Sequence, residues 1–216
     1  FVVLLAGRAA LTPGRARLAL PTQAAAEALA AEWAAQGETI DPRKMPLTRL
    51  VNSALDGVAR ESEAVRAEIV KYAGSDLLCY RAAEPASLVA AEAKAWDPML
   101  AWARDDLGIA LKLASGIAFV AQPEDARAVV ARAVDTVATP IELACLHVMT
   151  TLTGSVVLAL AVARGRLGVA EAWAIAHAEE DFQIAAWGAD EQAMARRQER
   201  ETEMHAAARL LELLRA

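Results

Sequence analysis

The chain has 216 residues, 56% hydrophobic, 23% charged and 5% aromatic, enough for one or two domains with a sizeable core. Its 22 Lys and Arg against 28 Asp and Glu give a net charge of −6 with no basic run, which excludes binding to nucleic acid by phosphate neutralisation. Two cysteines, Cys79 and Cys145, exclude a multi-disulfide framework and fit a reducing compartment.

Alanine supplies 54 of the 216 residues, so the hydrophobic fraction reads as closely packed helices. Phe1–Ala6 is apolar but too short for a signal-peptide core, and it reads as a strand. Arg15–Leu20 reads as a second strand, joined to the first through the Thr12-Pro13-Gly14 turn. Thr22 is placed to cap a helix from Gln23 to Gln36, where Ala26, Leu29, Ala30 and Trp33 form one stripe ended by Gly37. Thr48 caps a long predicted helix to Ala73. Leu77–Tyr80 is a short strand candidate. Helices follow over Ser87–Ala95 and from Asp97-Pro98 to Gly108, and Ile109–Leu113 and Gly116–Val120 are strand-like.

From Pro123 onward the pattern is helical only: Pro123–Val137, Pro140–Ala163, Ala170–Ala186 and Ala189–Arg215. These elements predict an α+β fold, predominantly α, with a small α+β domain over 1–121 that carries a short antiparallel sheet. An all-helical domain over 122–216 follows. Leu143–Ala163 is uncharged for 21 residues, the length of a membrane span, but its threonines, Gly154 and Ser155 favour a buried central helix.

The chemistry-bearing residues form no familiar set. There is no phosphate-binding Gly-x-x-x-x-Gly-Lys loop, and Gly165-Arg166-Leu167-Gly168 follows a helix and reads as a turn. His147, His177 and His205 lie on separate helices, which excludes a metal cluster of zinc spacing. Glu179-Glu180-Asp181 is the densest acidic spot before the last helix. An enzyme using Glu179, Glu180 and His177 is therefore the alternative reading. Glu180, Gln183 and Trp187 share one helical face, a carboxylate, an amide and an indole that together suit recognition of a partner.

One ordered series of short motifs narrows this. It runs from Gly7-Arg8 and Leu11-Thr12-Pro13 through Glu32-Trp33, Ile40-Asp41-Pro42 and Met45-Pro46-Leu47-Thr48-Arg49-Leu50. It continues with Asp56, Asp76-Leu77-Leu78-Cys79-Tyr80-Arg81, Trp96-Asp97-Pro98, Leu152-Thr153-Gly154-Ser155, Glu180 with Gln183, and Trp187-Gly188. In order and spacing this resembles the assembly-chaperone family for the α subunit of the ATP synthase catalytic head, over residues 7 to about 193. Ala6 and Glu92 depart from that family's pattern.

The resemblance implies a small α+β domain followed by a helical one and a non-enzymatic role without cofactor, nucleotide, metal or membrane insertion. It implies a monomer of the bacterial cytoplasm, or of the mitochondrial matrix in a eukaryote, that holds free α subunit until β takes its place. Partner contact is expected at Glu180, Gln183, Trp187, Asp190 and Glu191. Trp33, Met45, Arg49 and Trp96 are expected to brace helices against the small sheet.

Overall fold

The computed structural model describes all of residues 1–216. Ala6 and Gly7 both take positive φ, 47° and 77°, and fold Leu4–Leu5 (β1) back on Arg8–Ala9 (β2) as an antiparallel pair with Leu4 opposite Ala9. Arg15–Leu20 then returns along them through isolated bridges, Leu11 to Arg17 and Val2 to Ala19. The expected direct pairing of Phe1–Ala6 with Arg15–Leu20 therefore gains a middle run at 8–11, made by a glycine turn that carries no Pro signal. Val3, Ala10, Leu18 and Leu20 form its buried face.

Helix α1 (Gln23–Ala34) starts at Thr22, whose hydroxyl accepts from the Ala25 amide and donates to the Leu213 carbonyl at 2.6 Å. Near its other end the Glu32 carboxylate receives the Leu47 and Thr48 amides, both at 2.8 Å. These are first-turn donors of α2 (Pro46–Ser53), so a carboxylate satisfies them and favours the positive end of the helix. The single helix expected over Thr48–Ala73 is divided: a π turn at Ala54–Val58 and a break at 59–61 separate α2 from α3 (Ser62–Lys71). Asp56, inside the π turn, reaches the N-terminal sheet and accepts from the Thr12 hydroxyl at 2.6 Å and the Gly14 amide at 2.8 Å.

A 3-10 turn at Leu77–Cys79 replaces the expected strand, which shrinks to Tyr80–Arg81 (β3) and pairs parallel with Ala114–Ser115 (β4). Helix α4 (Ala86–Leu107) runs unbroken through Pro98, where two helices are predicted. Pro98, Lys94 and Asp97 are exposed, so the amide hydrogen bond that proline cannot donate is lost on the solvent face.

Helices α5 (Glu124–Asp135) and α6 (Pro140–Thr153) follow, the latter opened by a capping box between Thr139 and Glu142. The predicted helix Pro140–Ala163 ends at Gly154, φ 66°, and restarts at Ser155, whose hydroxyl caps α7 (Val156–Ala163). No helix is long and apolar enough to cross a membrane. The sequence predicts one further helix over Ala170–Ala186, which divides at His177 into α8 (Val169–Ala176) and α9 (Ala178–Trp187), and α10 (Glu191–Leu213) closes the chain. The fold is predominantly helical with small strand pairs, as expected, the second pair being parallel. Helices α6 and α7 lie at the centre of an apolar core that runs continuously from Val3 and Leu18 to Leu210 and Leu211.

Candidate functional site

Helix α9 has no fully buried residue, so packing alone holds it loosely and polar ties fix its position. At its start, His177 is stacked on Trp173 with ring centroids 3.7 Å apart, and its Nδ1 meets the Trp173 carbonyl at 2.8 Å. Along its length, Arg197 of α10 reaches Asp181 at 2.5 Å and Glu180 at 3.9 Å, with only 11% of the arginine side chain exposed. Behind it, the indole nitrogen of Trp96 in α4 donates to the Ile175 carbonyl at 2.8 Å, just ahead of α9.

The five residues expected to touch a partner fall on this helix and the turn after it. Trp187, the last residue of α9, is 80% exposed. Gly188, at φ 90°, then reverses the chain into Asp190 and Glu191. Glu180 is half-buried beside Arg197, and Gln183 is exposed and donates to Glu179 Oε1 at 3.1 Å. Asp190 has a second occupation: its carboxylate caps α10, accepting from the Ala193 amide at 2.8 Å. Glu191, one residue on, is exposed in the first helical turn. The result is an open ridge with an indole at its tip and carboxylates along its flank.

The residues of the alternative enzyme reading, His177, Glu179 and Glu180, do converge, on a cleft of about 340 Å³ between α9 and the α6–α7 break. Burial holds the His177 imidazole below its ordinary pKa, against the opposing effect of the Trp173 carbonyl. The hydroxyls at the cleft, Thr151 and Thr153, donate to helix carbonyls, those of Val148 and Met149.

Of the expected braces, Met45 and Trp96 are buried, whereas Trp33 and Arg49 are half-buried. Arg49 crosses to α10 and pairs with Glu203 at 2.5 Å. Trp96 lies beneath the Arg81 guanidinium, 5.1 Å from the ring centre, and Arg81 also pairs with Asp97 at 2.7 Å. Arg197 is the residue that sequence reasoning passes over. In Arg196-Arg197-Gln198-Glu199-Arg200 it looks like one more solvated cation, and only its register on α10 turns it toward α9.

The molecule is thus a mostly helical protein that presents an indole and carboxylates on an open ridge. The family model described as ATP12 chaperone protein matches residues 1–104. The crystal structure of Atp12 from Paracoccus denitrificans is 42% identical and superposes with a TM-score of 0.93, covering 99% of this chain and 91% of that one. A form of the same protein with one aspartate replaced by lysine matches equally well. The Atu1473 protein of Agrobacterium tumefaciens, a candidate chaperone, is 46% identical with a TM-score of 0.95, covering 99% of this chain and 80% of that one. The chain belongs to the ATP12 chaperone family.

Proposed function

We propose that this chaperone serves ATP synthase assembly by holding the unassembled α subunit of the catalytic head until a β subunit displaces it. The observation that carries the reading is Trp187, a large indole left 80% exposed at the end of a helix and flanked by Asp190 and Glu191. Tryptophan anchors are the residues on which protein interfaces most often depend. An unassembled ring subunit exposes a broad apolar interface that drives aggregation, and covering that surface protects it.

Holding of this kind needs contact area and no chemistry, so the protein acts as a monomer without nucleotide, metal or cofactor and is not an enzyme. It does so in the bacterial cytoplasm, or in the matrix of a mitochondrion. Release follows from competition: an obligate subunit interface is larger and more apolar than a transient one, so β outcompetes the chaperone. The test is light scattering of nucleotide-free α subunit. An equimolar amount of this protein is expected to suppress its aggregation, and Trp187→Ala to lose most of that protection. Unchanged aggregation in the presence of the wild-type protein would remove the reading.

A further inference from the structure

The cleft between α9 and the α6–α7 break contains an imidazole whose proton position is fixed by its surroundings. His177 is 7% exposed, and its Nδ1 faces the Trp173 carbonyl at 2.8 Å. A carbonyl oxygen only accepts, so Nδ1 carries the hydrogen of the neutral ring and Nε2 presents a lone pair. Nε2 has no partner within the protein, and His177 lines the cleft together with Glu179, Glu180, Gln183 and Arg200.

Most side-chain donors around the cleft are already engaged. Thr151 and Thr153 donate to the Val148 and Met149 carbonyls at 2.9 and 2.7 Å, and Gln183 Nε2 donates to Glu179 Oε1 at 3.1 Å. Arg200 gives one guanidinium N–H to the Leu152 carbonyl at 3.0 Å and keeps its other N–H groups at the rim. Apart from those Arg200 N–H groups, what stays free is acceptors: His177 Nε2, the second Glu179 oxygen, the Gln183 carbonyl, and Glu180, which Arg197 approaches only to 3.9 Å. Glu179, Glu180 and Asp181 against Arg197 and Arg200 leave the cleft and its wall one charge negative. A group that satisfies several separated acceptors and the charge at once is a planar cation with many N–H donors.

We propose that this cleft receives a guanidinium group, supplied by an arginine side chain of the held α subunit. The identity of the donor rests on the function proposed above; the guanidinium chemistry rests on the cleft alone. The arrangement is also acid-sensitive. The charged and polar groups around the ring are the Trp173 carbonyl from α8, Glu179 and Glu180 from α9, and Arg197 and Arg200 from α10. Protonation turns Nε2 from acceptor to donor and adds a positive charge beside two arginines, so a bound cation is expelled as the imidazole titrates.

The experiment follows the imidazole nitrogens of the wild-type protein by NMR while N-acetyl-arginine methylamide is added, with N-acetyl-norleucine methylamide as the uncharged control. The expected result is a shift of the His177 Nε2 signal with the arginine probe alone, lost in the surface variant Glu179→Gln/Glu180→Gln and lost as the ring protonates. No movement of His177, or equal movement with both probes, overturns the proposal. In parallel, Glu179→Gln/Glu180→Gln is expected to weaken capture of purified α subunit at least about tenfold, the scale of lost charge-assisted hydrogen bonds. Full-strength capture by that variant would overturn the α-subunit arginine as occupant. Failure of the wild type to capture α, with the arginine response intact, would instead remove the proposed function and leave the guanidinium site standing.

Discussion

Asp76 and Val157 lie 81 residues apart in the chain, and the fully buried Asp76 carboxylate accepts the Val157 amide hydrogen at 3.2 Å. The same carboxylate accepts from the Leu78 amide at 3.1 Å. One side chain thereby caps both the 3-10 turn at Leu77–Cys79 and the start of α7, joining the two segments beside which α9 lies. Desolvation outweighs these hydrogen bonds and pushes the Asp76 pKa from 3.8 up to about 6.

The sign of that shift fixes a pH dependence. A carboxyl whose folded pKa is raised stabilises the fold fully below its unfolded value of 3.8, and the contribution is lost as pH rises through about 6. At about 1.4 kcal/mol per unit, the swing is of order 3 kcal/mol. Asp76→Asn cannot titrate, so its stability deficit relative to wild type is expected to shrink by that order between about pH 4 and pH 7. Denaturant unfolding at a series of pH values reads it. A deficit constant across that range would show that the buried carboxyl does not titrate there.

Gly14 is a place where only hydrogen fits. A Cβ there would lie 2.6 Å from Asp56 Cγ and Oδ1, which are held by the Thr12 hydroxyl and the Gly14 amide itself. Gly14→Ala is therefore expected to cost about 1–3 kcal/mol through forced displacement of Asp56. The measurement is a double-mutant cycle with Asp56→Ala. If the clash is the cause, the alanine at 14 costs much less once Asp56 is gone, whereas additive costs would contradict the account.

Trp96 is expected to matter for stability and for the placement of α9. Its ring is wholly buried and its indole nitrogen holds the Ile175 carbonyl. Trp96→Ala is expected to cost about 3–5 kcal/mol by cavity formation. Trp96→Phe keeps most of the volume but orphans the carbonyl, for about 1–3 kcal/mol. Chemical unfolding ranks the two, and equal stability of wild type and Trp96→Phe would remove the hydrogen bond from the argument.

The ridge makes two lysine substitutions distinguishable. Asp190→Lys removes the cap of α10, for about 1 kcal/mol, and places a cation at the positive end of a helix. Glu191→Lys leaves the cap in place and is expected to change stability by less than half as much. Both should weaken α-subunit capture under the proposed function. Thermal melts alongside capture separate the folding effect from the binding effect. Equal melting temperatures for the two variants would contradict the capping role.

The helix starts that the sequence made legible carry local signals: Thr22, and Thr139-Pro140 with Glu142, act within one turn of chain. The boundaries it hid are set by distant partners or by apolar context. The break at Gly154-Ser155 sits inside an unbroken apolar run, where periodicity is silent, and Asp76 is one acid among many until the fold buries it under Val157. Likewise Pro98 signals a helix start from sequence, but its exposed position lets α4 continue. At the candidate site, the shared face of Glu180, Gln183 and Trp187 follows from helical spacing. The contact of Arg197 with Asp181 required the packing of α10 on α9, and the convergence of His177 with Glu179 required the turn between α8 and α9.

The most direct test of the account is capture of purified, nucleotide-free α and β subunits, each offered separately to the immobilised protein, followed by addition of β to the α-loaded sample. The account predicts retention of α but not β, weakened by at least about thirtyfold in Trp187→Ala, as for an interface anchor worth 2 kcal/mol or more, and release of α when β is added. Retention of neither subunit, or retention of α that β cannot reverse, would contradict it.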